Sequence, residues 1–391
     1  MTLPLNRELR KIVTPEYITG DNSRIFAGRY AHSFYSKRVL LATDERLLDM
    51  DWMNGITDSL SEGGAEYELF TGISENPRDY DVIKGAEVYR AEECTGIVAV
   101  GGGSIMDCSK GIGIISANGG KISDYIGVDR VKNPMPPLIC IPTTGGSSAD
   151  VSQYAVITCP EKREKNLIIS KSLVPDVSLL DPVPLATQPD EITVYSAIDA
   201  LSHAIEAYVS NGSSYISDIL ALEAVRILGE VLPYDPAQRE NTDFRFKTLI
   251  ASLCAGISFS NAGLGLIHSL SHAFGGMYDM PHGLSSAIVM PFVVRYNFSS
   301  APGRYRKIAE AIMPENKGIP DEKIPDALIE KVLSMYGEYQ KYPDIKSFGA
   351  SYGDIPDLVK RAVVDPCIAT NPRLPPSEDI KKLIIKIFDS V

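Results

Sequence analysis

Along the first half of the chain, short uninterrupted apolar runs alternate with longer stretches of helical periodicity. Val39-Leu40-Leu41-Ala42-Thr43 ends at Asp44, and Gly96-Ile97-Val98-Ala99-Val100 ends in three glycines. Leu138-Ile139-Cys140-Ile141-Pro142 and Val177-Ser178-Leu179-Leu180-Asp181 complete the set. Runs without a polar face suit strands buried on both sides, as in a parallel sheet with crossover helices.

The texture changes at Asp181–Pro189, which holds three prolines and reads as a connection between domains. Beyond it, stretches such as Tyr215 to Leu232 and Phe244 to Ser260 are helical in period, and no strand-like run stands out. The expected architecture is an α/β domain of nucleotide-binding type over residues 1–187, with a Rossmann-like parallel sheet. An all-helical domain over residues 188–391 follows.

Composition narrows the function classes. A length of 391 residues exceeds one ordinary core, and 44% hydrophobic with 23% charged residues is globular. A formal net charge of −12, without a long run of Lys or Arg, argues against nucleic acid as a partner. No apolar run reaches the roughly 18 residues of a membrane span. The start, MTLPLNRELRKIV, lacks the basic and apolar regions of a secretory signal. Six scattered cysteines without a CxxC pair suit reduced thiols, hence a cytoplasmic protein.

Two turns carry candidate phosphate-binding chemistry. Gly101-Gly102-Gly103-Ser104 leads from a strand into a helix, where missing Cβ atoms and free N–H groups would admit a pyrophosphate. It is not the GxGxxG dinucleotide fingerprint. Pro142-Thr143-Thr144-Gly145-Gly146-Ser147-Ser148 follows another strand, and its hydroxyls could bind further cofactor atoms. Ligands of open α/β sheets lie outside the strands' carboxyl ends, so the two turns reinforce one another. Asp44, also at a strand end, could accept from a ribose diol and repel a 2′-phosphate, or cap the helix that follows.

The second half carries the metal chemistry. Of five histidines, four fall between residues 203 and 282. Asp199 and His203 stand at i, i+4 in a helical segment, and His268 and His272 repeat the spacing. Each pair therefore leaves one helix face. His282 follows Pro281, which suits the first turn of another helix. Several buried imidazoles need partners, and a divalent metal supplies one they share. Three His and one Asp suit Fe²⁺ or Zn²⁺ alike.

With these motifs assembled, the chain resembles the iron-containing (group III) alcohol dehydrogenases. The motifs are TDERL at 43–47, NP at 76–77, GGGSIMD at 101–107, PTTGGSSAD at 142–150, DALSHAIEAY at 199–208, GLGLIHSLSHAFGGMYDMPHG at 263–283 and TNPR at 370–373. The resemblance implies Asp199, His203, His268 and His282 as ligands of one divalent ion, Fe²⁺ first and Zn²⁺ as the alternative. It implies NAD as cofactor, with Gly102, Gly103 and Ser104 on the pyrophosphate and Asp107 towards the nicotinamide. Asn76, Thr143, Thr144, Ser147 and Lys165 are counted with the cofactor positions, and Asp44 with the preference for NAD over NADP. His272 is implied as a non-ligating proton-relay histidine. Phe259 and Cys367 match positions lining the alcohol pocket, and Tyr154 and Phe274 are taken with them as places where this chain departs from its relatives.

The expected activity is hydride transfer between a small primary alcohol or diol, or the matching aldehyde, and NAD, in a homodimer or larger homo-oligomer. A metal is needed because a free alcohol is too weak an acid at neutral pH, and a cation lowers that pKa by several units. Two other classes compete. A dehydroquinate-synthase-like lyase would need basic residues near the metal, yet residues 196–209 and 261–290 contain no Lys or Arg. A silent cofactor-binding sensor would keep the fold without turnover.

Overall fold

The structure, a computed structural model, describes residues 9–316, 318–337 and 345–390. The first eight residues of the N-terminal stretch inspected for a leader lie outside them. By their contacts, the described residues form two units: 13–189 with 239–249, and 9–12 with 190–238 and 250–390.

The first unit is built on a six-stranded sheet. Its strands are β1 (Glu16–Thr19), β2 (Arg38–Thr43), β3 (Glu66–Phe70), β4 (Gly96–Gly101), β6 (Leu138–Pro142) and β9 (Val177–Leu180), in the order β1-β9-β6-β4-β2-β3. Every pairing is parallel. A smaller sheet joins β5 (Gly127–Val128) to the antiparallel hairpin β7 (Tyr154–Cys159) and β8 (Glu164–Ile169). The helices are α1 (Ala27–Ser33), α2 (Asp51–Glu62), α3 (Asp79–Ala91) and α4 (Gly103–Asn118).

Successive residues of a strand point to opposite faces, and the core divides accordingly. Leu40, Ala42, Ile97, Ala99, Leu138 and Cys140 pack with residues of α3 and α4. Val39, Leu41, Val98, Val100, Ile139 and Ile141 pack on the other side with residues of α1 and α2. Both faces are covered, which is why β2, β4 and β6 read as unbroken apolar runs.

The second unit is helical among its described residues. It holds α5 (Asp190–Val209), α6 (Tyr215–Val231), α8 (Leu266–Tyr278), α9 (His282–Asn297), α10 (Pro302–Ile312), α11 (Ile324–Met335), α12 (Ile355–Val364) and α13 (Ser377–Ser390). Helix α5 packs with α6 and α9, and α8 with α9 and α12. The contact grouping changes at 189/190. Residues 239–249, assigned by sequence to the helical half, group instead with the sheet. There the start of α7 (Thr242–Ala262) sets Thr248 against the bare Cα of Gly145. No single described helix is long and apolar enough to cross a membrane.

Candidate metal and cofactor sites

Helix α5 is buried almost throughout, and Asp199, His203 and Glu206 fall at i, i+4 and i+7 on one face. Helix α8 is buried along its whole length and carries His268 and His272. His282 opens α9 directly after Pro281, so a helix N-terminus presents the third imidazole. Packing of α9 against both α5 and α8 closes the group. One ligand atom from each of Asp199, His203, His268 and His282 lies within 4.8 Å of all the others.

Ring contacts hold the arrangement. His203 is stacked between Phe259 and His268, each ring centroid 4.4 Å away. His268 Nδ1 is 2.8 Å from a Glu206 carboxylate oxygen, while its Nε2 is buried without a hydrogen-bond partner, 3.9 Å from Asp199 Oδ1. His282 Nε2 lies 3.6 Å from the same oxygen. Burial, followed by the neighbouring His272, pushes His268 down to about 3, so the imidazole is neutral at ordinary pH. A neutral imidazole with an unused buried nitrogen facing a carboxylate suits a divalent cation, whose bonds of about 2.0–2.2 Å fit within this group.

A second cluster adjoins the first. His272 Nδ1 is 2.8 Å from Asp365 Oδ2, and the His272 ring is stacked 5.4 Å from that of His282. Cys367 donates its backbone N–H to Asp365 Oδ1 at 2.8 Å and is buried. Burial raises the Asp365 carboxyl, but the nearby His272 and the Cys367 N–H more than reverse this, leaving it below the ordinary range. An ionised Asp365 therefore orients His272 through Nδ1.

Phe274 departs from expectation. Six residues beyond His268, it leaves another side of α8, and its ring packs against Tyr278 and Phe388, both 6.2 Å away. It belongs to the helical core, not to the histidine group. Tyr154 lies in the sheet-bearing unit, at the start of β7.

In that unit, β4 runs through Gly101 into α4, with Gly102 at the cap position and no side chain capping the helix. The first-turn N–H groups thus carry the positive end of the helix without a serine or aspartate over them. Thr143 is buried, and its N–H donates to the Gly101 carbonyl at 3.0 Å, joining the second turn to the first. Ser147 lies against Gly103, and Thr144 against Gly102. The Ser104 hydroxyl donates to the Glu75 carbonyl. Lys165 Nζ donates to Asn76 Oδ1 at 2.9 Å, so these two expected cofactor residues bond to each other. Asp107 Oδ2 accepts from the Val156 N–H at 3.1 Å.

Asp44 caps the short helical turn Glu45–Leu47 by accepting from the Arg46 N–H, and it also pairs with the Arg46 guanidinium at 2.5 Å. That side-chain hydrogen bond holds its carboxyl below the usual range.

Three residues with evident work were missed in the sequence: Glu206, Asp365 and Lys110. Lys110 is buried in α4 and donates to the carbonyls of Ser152 at 2.9 Å and Tyr154 at 2.7 Å. Glu206 shares the α5 face of Asp199 and His203, but the group that each of the three holds is remote in sequence.

Comparison with known proteins agrees with this geometry. Residues 14–182 match the family described as iron-containing alcohol dehydrogenase, and residues 193–388 match its C-terminal domain. The chain is 33% identical to the 1,3-propanediol dehydrogenase of Citrobacter freundii, over 94% of this chain and 96% of that one. It is 33% identical to the NAD-dependent methanol dehydrogenase of Bacillus methanolicus, over 95% and 98%, and 32% identical to the lactaldehyde reductase of Escherichia coli, over 89% and 91%. A crystal structure of a 1,3-propanediol oxidoreductase superposes with a TM-score of 0.92 at 32% identity, covering 97% of this chain and all of that one. The lyase and sensor alternatives gain nothing from these matches. With its parallel sheet, its helical second half and its Asp-His group, this chain belongs to the iron-containing alcohol dehydrogenase family, whose members are alcohol and aldehyde oxidoreductases.

Proposed function

We propose that this protein is an NAD-dependent dehydrogenase of small primary alcohols or diols, working on the matching aldehydes in reverse. The observation that carries the reading is the convergence of Asp199, His203, His268 and His282 within 4.8 Å. Relatives named for 1,3-propanediol, methanol and lactaldehyde support the substrate class, and the NAD-dependent methanol dehydrogenase supports the cofactor. Those four residues would hold one divalent ion, Fe²⁺ first and Zn²⁺ as alternative. Once bound, the ion supplies the Lewis acidity that makes an alcohol acidic at neutral pH.

The chain's own residues divide the remaining work. Gly102, Gly103 and Ser104 offer backbone N–H groups to a pyrophosphate at the start of α4. Thr143, Thr144 and Ser147 line the same turn, while Asn76 and Lys165 act as a bonded pair. Asp107 belongs to the nicotinamide end, and Asp44 selects the ribose diol over a 2′-phosphate. His272, oriented by Asp365, receives the proton that leaves the alcohol at Nε2. Phe259 and Cys367 shape the substrate pocket. The protein works in the cytoplasm as a homodimer or larger homo-oligomer.

A panel of alcohols and aldehydes, run on protein reconstituted separately with Fe²⁺ and with Zn²⁺, tests the proposal. Turnover of a small primary alcohol or diol with NAD is expected with at least one metal. Tight NADH and metal binding without any turnover would overturn it in favour of a sensor.

A further inference from the structure

We infer that Glu206 is a positioning residue for the candidate metal centre: it presents His268 to the ion. This rests on the metal-binding role proposed above for His268. Glu206 sits on α5 seven residues beyond Asp199, on the face that carries Asp199 and His203. It is buried, with 2% of its surface exposed. Its Oε2 accepts from the Gly265 N–H at 2.9 Å and lies 2.8 Å from His268 Nδ1; its Oε1 accepts from the Ile267 N–H at 2.6 Å. A longer contact, 3.4 Å, reaches the His268 N–H.

The donor inventory decides what this means. The backbone N–H groups of Gly265 and Ile267 are obligatory donors, so the oxygens facing them must accept. Those two bonds fix the Glu206 carboxyl group, and its 2.8 Å contact with Nδ1 fixes the His268 ring, so that Nε2 is the ring nitrogen turned away from Glu206. That nitrogen is the buried atom without a hydrogen-bond partner that points towards Asp199. One side chain therefore anchors the start of α8 and sets the ring orientation that turns Nε2 towards Asp199. Gly265 is needed for the approach, because a Cβ there would stand 2.8 Å from Glu206 Oε1.

A role limited to capping α8 would look similar in a stability measurement alone. Asn371 supplies the control, since its Oδ1 accepts from the Leu266 N–H at 3.1 Å at the same helix start, on the backbone beside the imidazole. Glu206→Gln and Asn371→Ala would be compared with the parent protein. Three measurements are made: Zn²⁺ and Fe²⁺ affinity by chelator competition, thermal midpoint of the metal-free protein, and ring-nitrogen NMR shifts of ¹⁵N-histidine in the Zn²⁺-loaded protein. Glu206→Gln turns an amide NH₂ onto donors, so metal affinity should fall by about 10- to 100-fold. Asn371→Ala should lower the midpoint while keeping affinity within about threefold.

The inference is overturned if Glu206→Gln keeps parental affinity, or if Asn371→Ala loses as much affinity as Glu206→Gln. It is equally overturned if His268 of the Zn²⁺-loaded parent carries its proton on Nε2, a measurement that stands even where Glu206→Gln does not fold. A parent protein that binds neither cation would instead remove the metal-centre reading itself.

Discussion

Ser147 packs against the bare Cα of Gly103: a Cβ on that glycine would stand 2.6 Å from the serine Oγ and 2.7 Å from its Cβ. The second glycine-rich turn is thereby pressed onto the start of α4, the site proposed for the pyrophosphate. Gly103→Ala must push Ser147 or the helix start aside. NADH affinity is expected to fall by about tenfold or more, ~1.4 kcal/mol. Ser147→Gly in the same chain should restore part of it. Titration of NADH fluorescence checks both, and unchanged affinity in Gly103→Ala would place the cofactor elsewhere.

His268→Ala removes the imidazole with the unused buried nitrogen. Metal content and turnover should disappear together, while NADH still binds to the sheet-bearing unit. Metal analysis beside an NADH titration measures the two losses separately. Full activity in this variant would end the proposed ligand assignment.

Metal removal should also be visible as stability. Ligands that bind only the folded state stabilise it, by about 2.7 kcal/mol at a hundredfold excess over Kd. The thermal midpoint of chelated protein is expected to rise on adding Fe²⁺ or Zn²⁺. The rise should be lost in Asp199→Asn and in His203→Ala.

Asp365 holds His272 through Nδ1 at 2.8 Å. With metal content unchanged, His272→Asn should lower kcat by about 10²-fold, the lower end of the usual range for a general acid–base group. Asp365→Asn should lower it less, because the imidazole remains but its orientation loosens. Steady-state kinetics on metal-replete variants decide the order, and an Asp365→Asn variant slower than His272→Asn would contradict it.

Asp44 governs cofactor choice in the proposed enzyme, and it is tied to Arg46. Asp44→Ala should raise kcat/KM with NADP by about tenfold, both by removing a negative charge and by releasing a guanidinium for the 2′-phosphate. The same pair has a pH signature. Arg46 depresses the folded-state pKa of Asp44, so the contribution is present above the unfolded value, about 4, and is lost as pH falls through the folded value. Asp44→Asn should therefore destabilise the protein slightly near neutrality, by less than ~1 kcal/mol for such an exposed pair. Urea titrations at falling pH should show the difference closing, and a difference that stayed constant would assign it to something other than charge.

Much of the fold was legible because the buried parallel strands leave an unmistakable pattern. β2, β4, β6 and β9 were found almost to the residue, since both of their faces meet helices or neighbouring core. β1 and β3 were not. They lie at the two edges of the sheet, and their exposed glutamates and tyrosines blur the apolar signal. The hairpin β7–β8 was missed as well; in β8 the polar start Glu164-Lys165-Asn166 leaves only three apolar residues in a row. Phe274 was grouped with the pocket as a departure from the relatives, and its ring lies against Tyr278 and Phe388.

What the residues alone determined is local. Helical spacing puts Asp199 with His203, and His268 with His272, because 3.6 residues per turn bring i and i+4 to one face. What only the tertiary structure decided is how those faces meet. Packing of α9 on α5 and α8 brings His282 to Asp199. Glu206 reaches His268 across 62 residues, and Asp365 reaches His272 across 93. No periodicity encodes such meetings, since they depend on how whole helices bury their faces against one another. The orientation of a buried imidazole is fixed only once its distant carboxyl partner has arrived.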